Sequence, residues 1–152
     1  MRIRTRLWIL FVAGVMLCAS AYGQAALRAE RDLFAAVNQA RRAQGLPALR
    51  WDESLAVAAR RHAAVMAEHG QAQHAFEGEP SLSARAKQSG THFSWLSENV
   101  TQGPTPEFIH GQFMNSPNHR ANVLDRDMDS IGVGVVERGR QLFAVEDFSQ
   151  AR

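Results

Sequence analysis

This chain has a single cysteine, Cys18, in its 152 residues. No intrachain disulfide can form, and no cysteine nucleophile lies beyond residue 18. It also lacks H-E-x-x-H, G-x-S-x-G and a Walker loop, so the common zinc-protease, serine-hydrolase and nucleotide-binding signatures are absent. There is no internal repeat and no low-complexity tract. No apolar run reaches the roughly 20 residues that a membrane-spanning helix needs. Nor is there an excess of one charge once the first residues are set apart. The whole chain carries 17 Lys+Arg against 15 Asp+Glu. Arg2, Arg4 and Arg6 are the only charged residues before residue 24, and removing those three leaves 14 against 15. The balance gives no support for nucleic-acid or membrane-surface binding, and no nucleic-acid partner is expected.

The first 23 residues read as a secretory signal. The three arginines precede a short apolar core, Leu7 to Leu17, and small residues follow at Ala19, Ser20, Ala21 and Gly23. Ala21 and Gly23 suit cleavage after Gly23. Cleavage after Ala25 is the alternative. Lipidation at Cys18 is a third route, opposed by the bulky Leu17 before it. The mature part is long enough to rest on one hydrophobic core without staples. Residues 24–32 read as a lead-in and 33–150 as one domain.

Helical periodicity from Ala26 to Gln44, with Leu33, Phe34, Val37 and Ala40 in phase, predicts a first helix stopped by Gly45 and Pro47. Asp52 is placed to cap a second helix whose buried stripe is Leu55, Ala58, Ala59, His62, Val65 and Met66, ending at His69-Gly70. A looser stretch runs from Gln71 to Pro80. Ser81 or Ser83 then caps a short helix through Arg85 and Lys87. Phe93 to Val100 reads as a strand. Thr105-Pro106 opens another helix, with Phe108, Ile109 and Phe113 on its apolar side, and Ser116-Pro117 ends it. Ile131 to Phe148, with a turn at Arg138-Gly139, has the pattern of a β-hairpin. In it, Gly132-Val133-Gly134 is a strand with glycines rather than a phosphate loop. Helices first and strands last predict an α+β fold with helices covering an antiparallel sheet.

All six histidines lie in the mature part. His62 sits on the buried stripe and reads as a hydrogen-bonded core residue. His69 suits the end of a helix, where a cation meets the dipole. His92 and His110 read as surface or packing residues. His74 and His119 fall in or beside loops, with Glu98 at a strand edge between them. Two imidazoles and a carboxylate form a common zinc set with one position left open. Ser116, three residues before His119, admits a nucleophile reading, but a helix-ending Ser-Pro explains it equally well.

Several segments in order resemble the CAP superfamily of cysteine-rich secretory, antigen 5 and pathogenesis-related proteins, in its short bacterial SCP-like branch. Asn38-x-x-Arg41-x-x-x-Gly45-Leu46-x-x-Leu49-x-Trp51-Asp52 is similar to the family's first-helix exit, and Leu55, Ala59 and Met66 fit its second helix. His74 stands at the place of the first family histidine. Ser97-Glu98-Asn99-Val100 resembles the Gly-Glu-Asn segment, with serine for glycine. Phe113 to Arg120 is similar to the bacterial helix exit, with Phe113 where tryptophan is usual, and Ile131 to Gly134 to the strand that follows.

The resemblance implies a three-layer α-β-α sandwich with a small antiparallel sheet and a central cleft. It implies a cleft of two histidines and two acidic residues able to hold a divalent metal such as Zn2+. His74, Glu98 and His119 carry over. The second acidic position falls at Asn115 or Ser116, and neither is acidic. Asn99, Asn115 and Ser116 are the expected cleft neighbours. The trio then has three uses open to it: zinc ligation, a hydrogen-bonded network fixing the cleft walls, or proton shuttling in a hydrolysis. The corresponding functions are a secreted or periplasmic binding module for an extracellular or envelope ligand (lipid, glycan or protein), a metal-dependent hydrolase, and a structural envelope protein. The binding module, as a monomer without nucleic-acid partners, is the reading the resemblance favours.

Overall fold

The computed structural model describes residues 4–151, with side chains over residues 23–150. The signal read over residues 1–23, including its apolar core and Cys18, lies outside those side chains apart from Gly23. The elements are α1 (Arg4–Ala43), β1 (Arg50–Trp51), α2 (Glu53–His69), α3 (Leu82–Gln88), β2 (Phe93–Gly103), α4 (Pro106–Asn115), α5 (Pro117–Val123), β3 (Ser130–Arg138) and β4 (Gln141–Ala151). Among the described residues no helix is long and apolar enough to cross a membrane.

Local chemistry sets most boundaries. Asp52 accepts a hydrogen bond from the Leu55 amide and starts α2, and Gly70 ends it at φ 70°, a left-handed turn that glycine adopts without strain. Ser81, rather than Ser83, caps α3. Thr105 caps α4 with Pro106 in its first turn.

The sheet runs in the order β1-β3-β4-β2. The expected antiparallel hairpin is present as β3–β4, and β2 joins the other side of β4 antiparallel. The two-residue β1 pairs parallel with β3, so the sheet is mixed rather than wholly antiparallel. Strand alternation divides the core. Ile131, Val133, Val135, Ala144 and Phe148 pack with Leu33 and Val37 of α1, Ile109 and Phe113 of α4, and Val123 of α5. Val100, Phe143 and Val145 face the opposite way, against Ala59, Ala63 and Met66 of α2. Helices therefore cover both faces, giving the three-layer α-β-α arrangement. Ala29 and Glu30, in the stretch read as a lead-in, are buried.

The Asn38/Arg41 motif now has a mechanical meaning. Asn38 clasps Leu49 through both its amide (to O, 3.1 Å) and its carbonyl (from N, 2.7 Å). Arg41, fully buried, donates to the carbonyls of Pro47 (2.9 Å), Val123 (3.0 Å), Asp125 (2.7 Å) and Met128 (3.3 Å). One side chain thus ties the exit of α1 to the exit of α5.

Candidate functional site

Glu98 lies on β2 with its side chain on the α2 face, only 4 % exposed. Its first oxygen meets His74 Nδ1 at 2.8 Å. The second accepts from Arg85 of α3 in a short ion pair, with His62 Nε2 3.9 Å away. The hydrogen bond to Glu98 holds the His74 imidazole above its ordinary pKa. Partial burial and the neighbouring Arg85 charge oppose that rise. His74 itself is 60 % exposed, so a buried carboxylate orients an accessible ring.

The loop carrying His74 is pinned from below. His62 bridges Glu79 (2.6 Å) and the Gln73 carbonyl (2.9 Å). Glu79 accepts from the Phe76 amide (3.2 Å), and Arg85 donates to the carbonyls of Pro80 (3.1 Å) and His74 (3.4 Å). His69 stacks on Phe76 at 4.2 Å. His62 is hydrogen-bonded in the core as its place on the stripe predicts, and what it supports is this loop.

His119 comes from the other layer. Its expected place in or beside a loop turns out to be a short helix. Ser116-Pro117 ends α4 but also begins α5, because proline suits a first helical turn as well as a stop, and His119 stands on that helix. Its ring lies edge-on to Phe113 at 5.3 Å. Burial lowers its pKa, and the charge of His74 lowers it further. Asn99 donates to the His119 carbonyl (3.1 Å). Asn122 donates to Asn99 Oδ1 (2.9 Å) and to the Glu98 carbonyl (3.3 Å). These asparagines strap α5 to β2. Asn115 is exposed, and Ser116 serves as the joint between α4 and α5, its amide bonding Gln112 O (3.1 Å) and Phe113 O (3.3 Å).

Two acids that sequence reasoning passed over complete the picture. Asp147 sits directly across from Glu98 in the β2–β4 register. It is fully buried, and neither of its oxygens receives a donor from the described residues. Burial pushes its pKa well up, the facing Glu98 charge pushes it further, and Arg85 opposes. As a neutral acid it can donate to Glu98. Glu146, on the opposite face, is pushed up to about 8 by burial, against a single donor, Asn99 Nδ2 at 3.3 Å. The period-two alternation of β4 could have flagged one of the two adjacent acids as inward, since both cannot face solvent on a central strand.

The metal expectation meets a difficulty in this donor set. Both oxygens of Glu98 are engaged, one by a guanidinium, which leaves two imidazoles where an open zinc site takes three protein ligands. Among the described residues no three His, Cys, Asp or Glu side chains are grouped to hold an ion. The trio as it stands does not fit a resident metal. His110 lies elsewhere, in a groove of about 420 Å³ between α1 and α4 with Asp32, Gln39 and Glu107.

Comparison with known proteins agrees with the architecture. The family described as "CAP: Cysteine-rich secretory protein family" matches residues 34–148. The uncharacterized protein YkwD of Bacillus subtilis is 33 % identical over 111 residues, covering 72 % of this chain and 43 % of that protein. The uncharacterized membrane protein YlbC of the same organism is 30 % identical over 108 residues, covering 70 % and 31 %. The chain thus spans less than half the length of these curated relatives. Among solved structures, an extracellular protein containing a SCP domain from Bacillus anthracis superposes with a TM-score of 0.77 at 24 % identity, over 85 % of this chain and 42 % of that one. An outer surface protein from Borrelia burgdorferi superposes at 0.75 and 20 % identity, over 82 % and 94 %. These structural likenesses speak for the fold alone.

Proposed function

This chain belongs to the cysteine-rich secretory protein (CAP) family, and from that premise we propose that it is a binding module acting outside the cytoplasmic membrane, secreted or periplasmic. The observation that carries this reading is the state of Glu98. Both its oxygens are committed, to Arg85 and to His74, so the cleft's acid orients an imidazole instead of reacting. The accessible His74 and the partly buried His119 are the groups available to a ligand, and the asparagine strap ties the His119 helix to the strand that carries Glu98. Groups of this kind suit an oxygen-rich envelope ligand that accepts hydrogen bonds. The signal read in residues 1–23 supports the location.

One observation favours a second reading, hydrolysis. An imidazole held by a buried carboxylate at 2.8 Å is the base half of a nucleophilic relay. Surface plasmon resonance with purified cell-wall polymer and with phospholipid vesicles, on wild type and His74→Ala/His119→Ala, tests the binding reading. Binding that the double variant loses supports it. Binding indifferent to both histidines sinks it. Peptide or glycan cleavage that Glu98→Gln abolishes would install the hydrolytic reading instead.

A further inference from the structure

The buried cluster behind His74 contains three carboxyl groups, Glu79, Glu98 and Asp147, and one permanent cation, Arg85. Arg85 is 5 % exposed. Its NH2 group holds Glu98 Oε2, and its NH1 group donates to the Pro80 (3.1 Å) and His74 (3.4 Å) carbonyls and lies 3.7 Å from Glu79 Oε1. Its Nε is buried with no partner among the described residues. A guanidinium cannot lose its proton in a protein, so this charge is permanent. It sits on the oxygen that Glu98 would otherwise offer to an ion, and its field reaches the His74 ring, where it opposes further positive charge. A divalent ion at His74 would have to break the Arg85–Glu98 pair or do without the carboxylate.

We propose that Arg85 is the resident cation of this cleft: it holds Glu98, and through Glu98 the His74 ring, in the orientation that a divalent ion would otherwise impose, so the cleft is built to work without a metal. This goes beyond the binding reading and holds whichever ligand the histidines meet. Arg85 is a positioning residue, since it touches only Glu98 and the loop.

Zinc chloride titrated calorimetrically into the purified protein, with His74→Ala as control, is the first test. The expected result is no saturable heat that His74→Ala removes, and a melting temperature indifferent to EDTA. One equivalent of zinc bound by wild type and lost in His74→Ala would overturn the proposal, as would a melting temperature that EDTA lowers. Arg85→Gln frees Glu98. It is expected to raise zinc affinity at least about tenfold, the scale on which groups behind a metal ligand act, with the gain lost in Arg85→Gln/His74→Ala. Arg85→Lys, which keeps the charge, gains nothing. An Arg85→Gln protein that folds and binds zinc no better than wild type refutes the proposal. Should it not fold, the wild-type titration and melt still decide.

Discussion

Replacing Gly132 by alanine is expected to be among the most damaging single-methyl changes in this domain. Gly132 and Gly134 lie on the β3 face covered by α2, where the helix backbone rests directly on the strand. A Cβ at Gly132 would lie 2.5 Å from Leu55 Cβ and overlap the Leu55–Ala56 backbone. At Gly134 it would lie 2.7 Å from the Ala59 carbonyl oxygen. Carbon atoms pack at about 3.5–4.0 Å, so α2 would have to lift by about 1 Å. No flexible side chain can swing aside, because the obstructing atoms are mostly backbone. A gap of that size forfeits about a quarter to a half of each contact across it. The contacts at risk are those of Ala59, Ala63 and Met66 with Val100, Phe143 and Val145. Ordinary overpacking costs about 1–3 kcal/mol, and a lifted helix adds to that, so about 3–5 kcal/mol is expected. That is a large share of a typical stability of about 5–15 kcal/mol. Urea unfolding followed by circular dichroism measures it. Gly111→Ala is the control of opposite sign: it lies inside α4 with nothing within 4 Å, and should stabilise by about 0.5–1 kcal/mol. A Gly132→Ala protein within about 0.5 kcal/mol of wild type, the spread of neutral surface changes, would refute the close-contact argument.

Three further outcomes are expected. Arg41→Lys should lose about 2–3 kcal/mol in urea unfolding, because one ammonium cannot serve four carbonyls spread around a planar fork; a neutral effect would contradict the clasp. Glu146 makes stability fall as pH rises. Between its ordinary 4.5 and its folded value of about 8, the unfolded chain has released this proton and the native state has not. Glu146→Gln should therefore gain on wild type progressively from pH 4.5 to about 8, by on the order of a few kcal/mol, and level off above. A stability difference that is flat with pH would count against the buried neutral acid. Finally, in histidine NMR titrations, Glu98→Gln should bring the His74 midpoint down and His74→Ala should bring the His119 midpoint up, since each loses its charged neighbour. A stationary His119 would mean that the two rings do not sense each other.

Much of the frame was readable because caps and turns are local. Asp52, Thr105-Pro106, Gly70 and the Arg138-Gly139 turn each act within a few residues, and each marks an element end. The Asn38/Arg41 pair and the segment around Glu98 were visible as motifs, though their partners were not. The two-residue β1 is too short to show a period, and α5 hid behind a proline that reads equally as an end or a start. The missed members of the site share a cause. Arg85, on a seven-residue polar helix, looks like a surface cation until α3 is laid against β2. Asp147 becomes relevant only through the register that sets it opposite Glu98. Both depend on long-range pairing, which local patterns do not encode.

The sheet order has a consequence for how the protein comes into being. The edge strand β2 adds to the sheet through β4, the last strand in sequence. The asparagine strap that seats α5 is anchored on β2. Neither β2 nor the α5 strap anchored on it can be set while β4 is still being synthesised. In the nascent chain the His74 and His119 sides of the sheet therefore stay unassembled until β4 has been made and has paired with both β3 and β2.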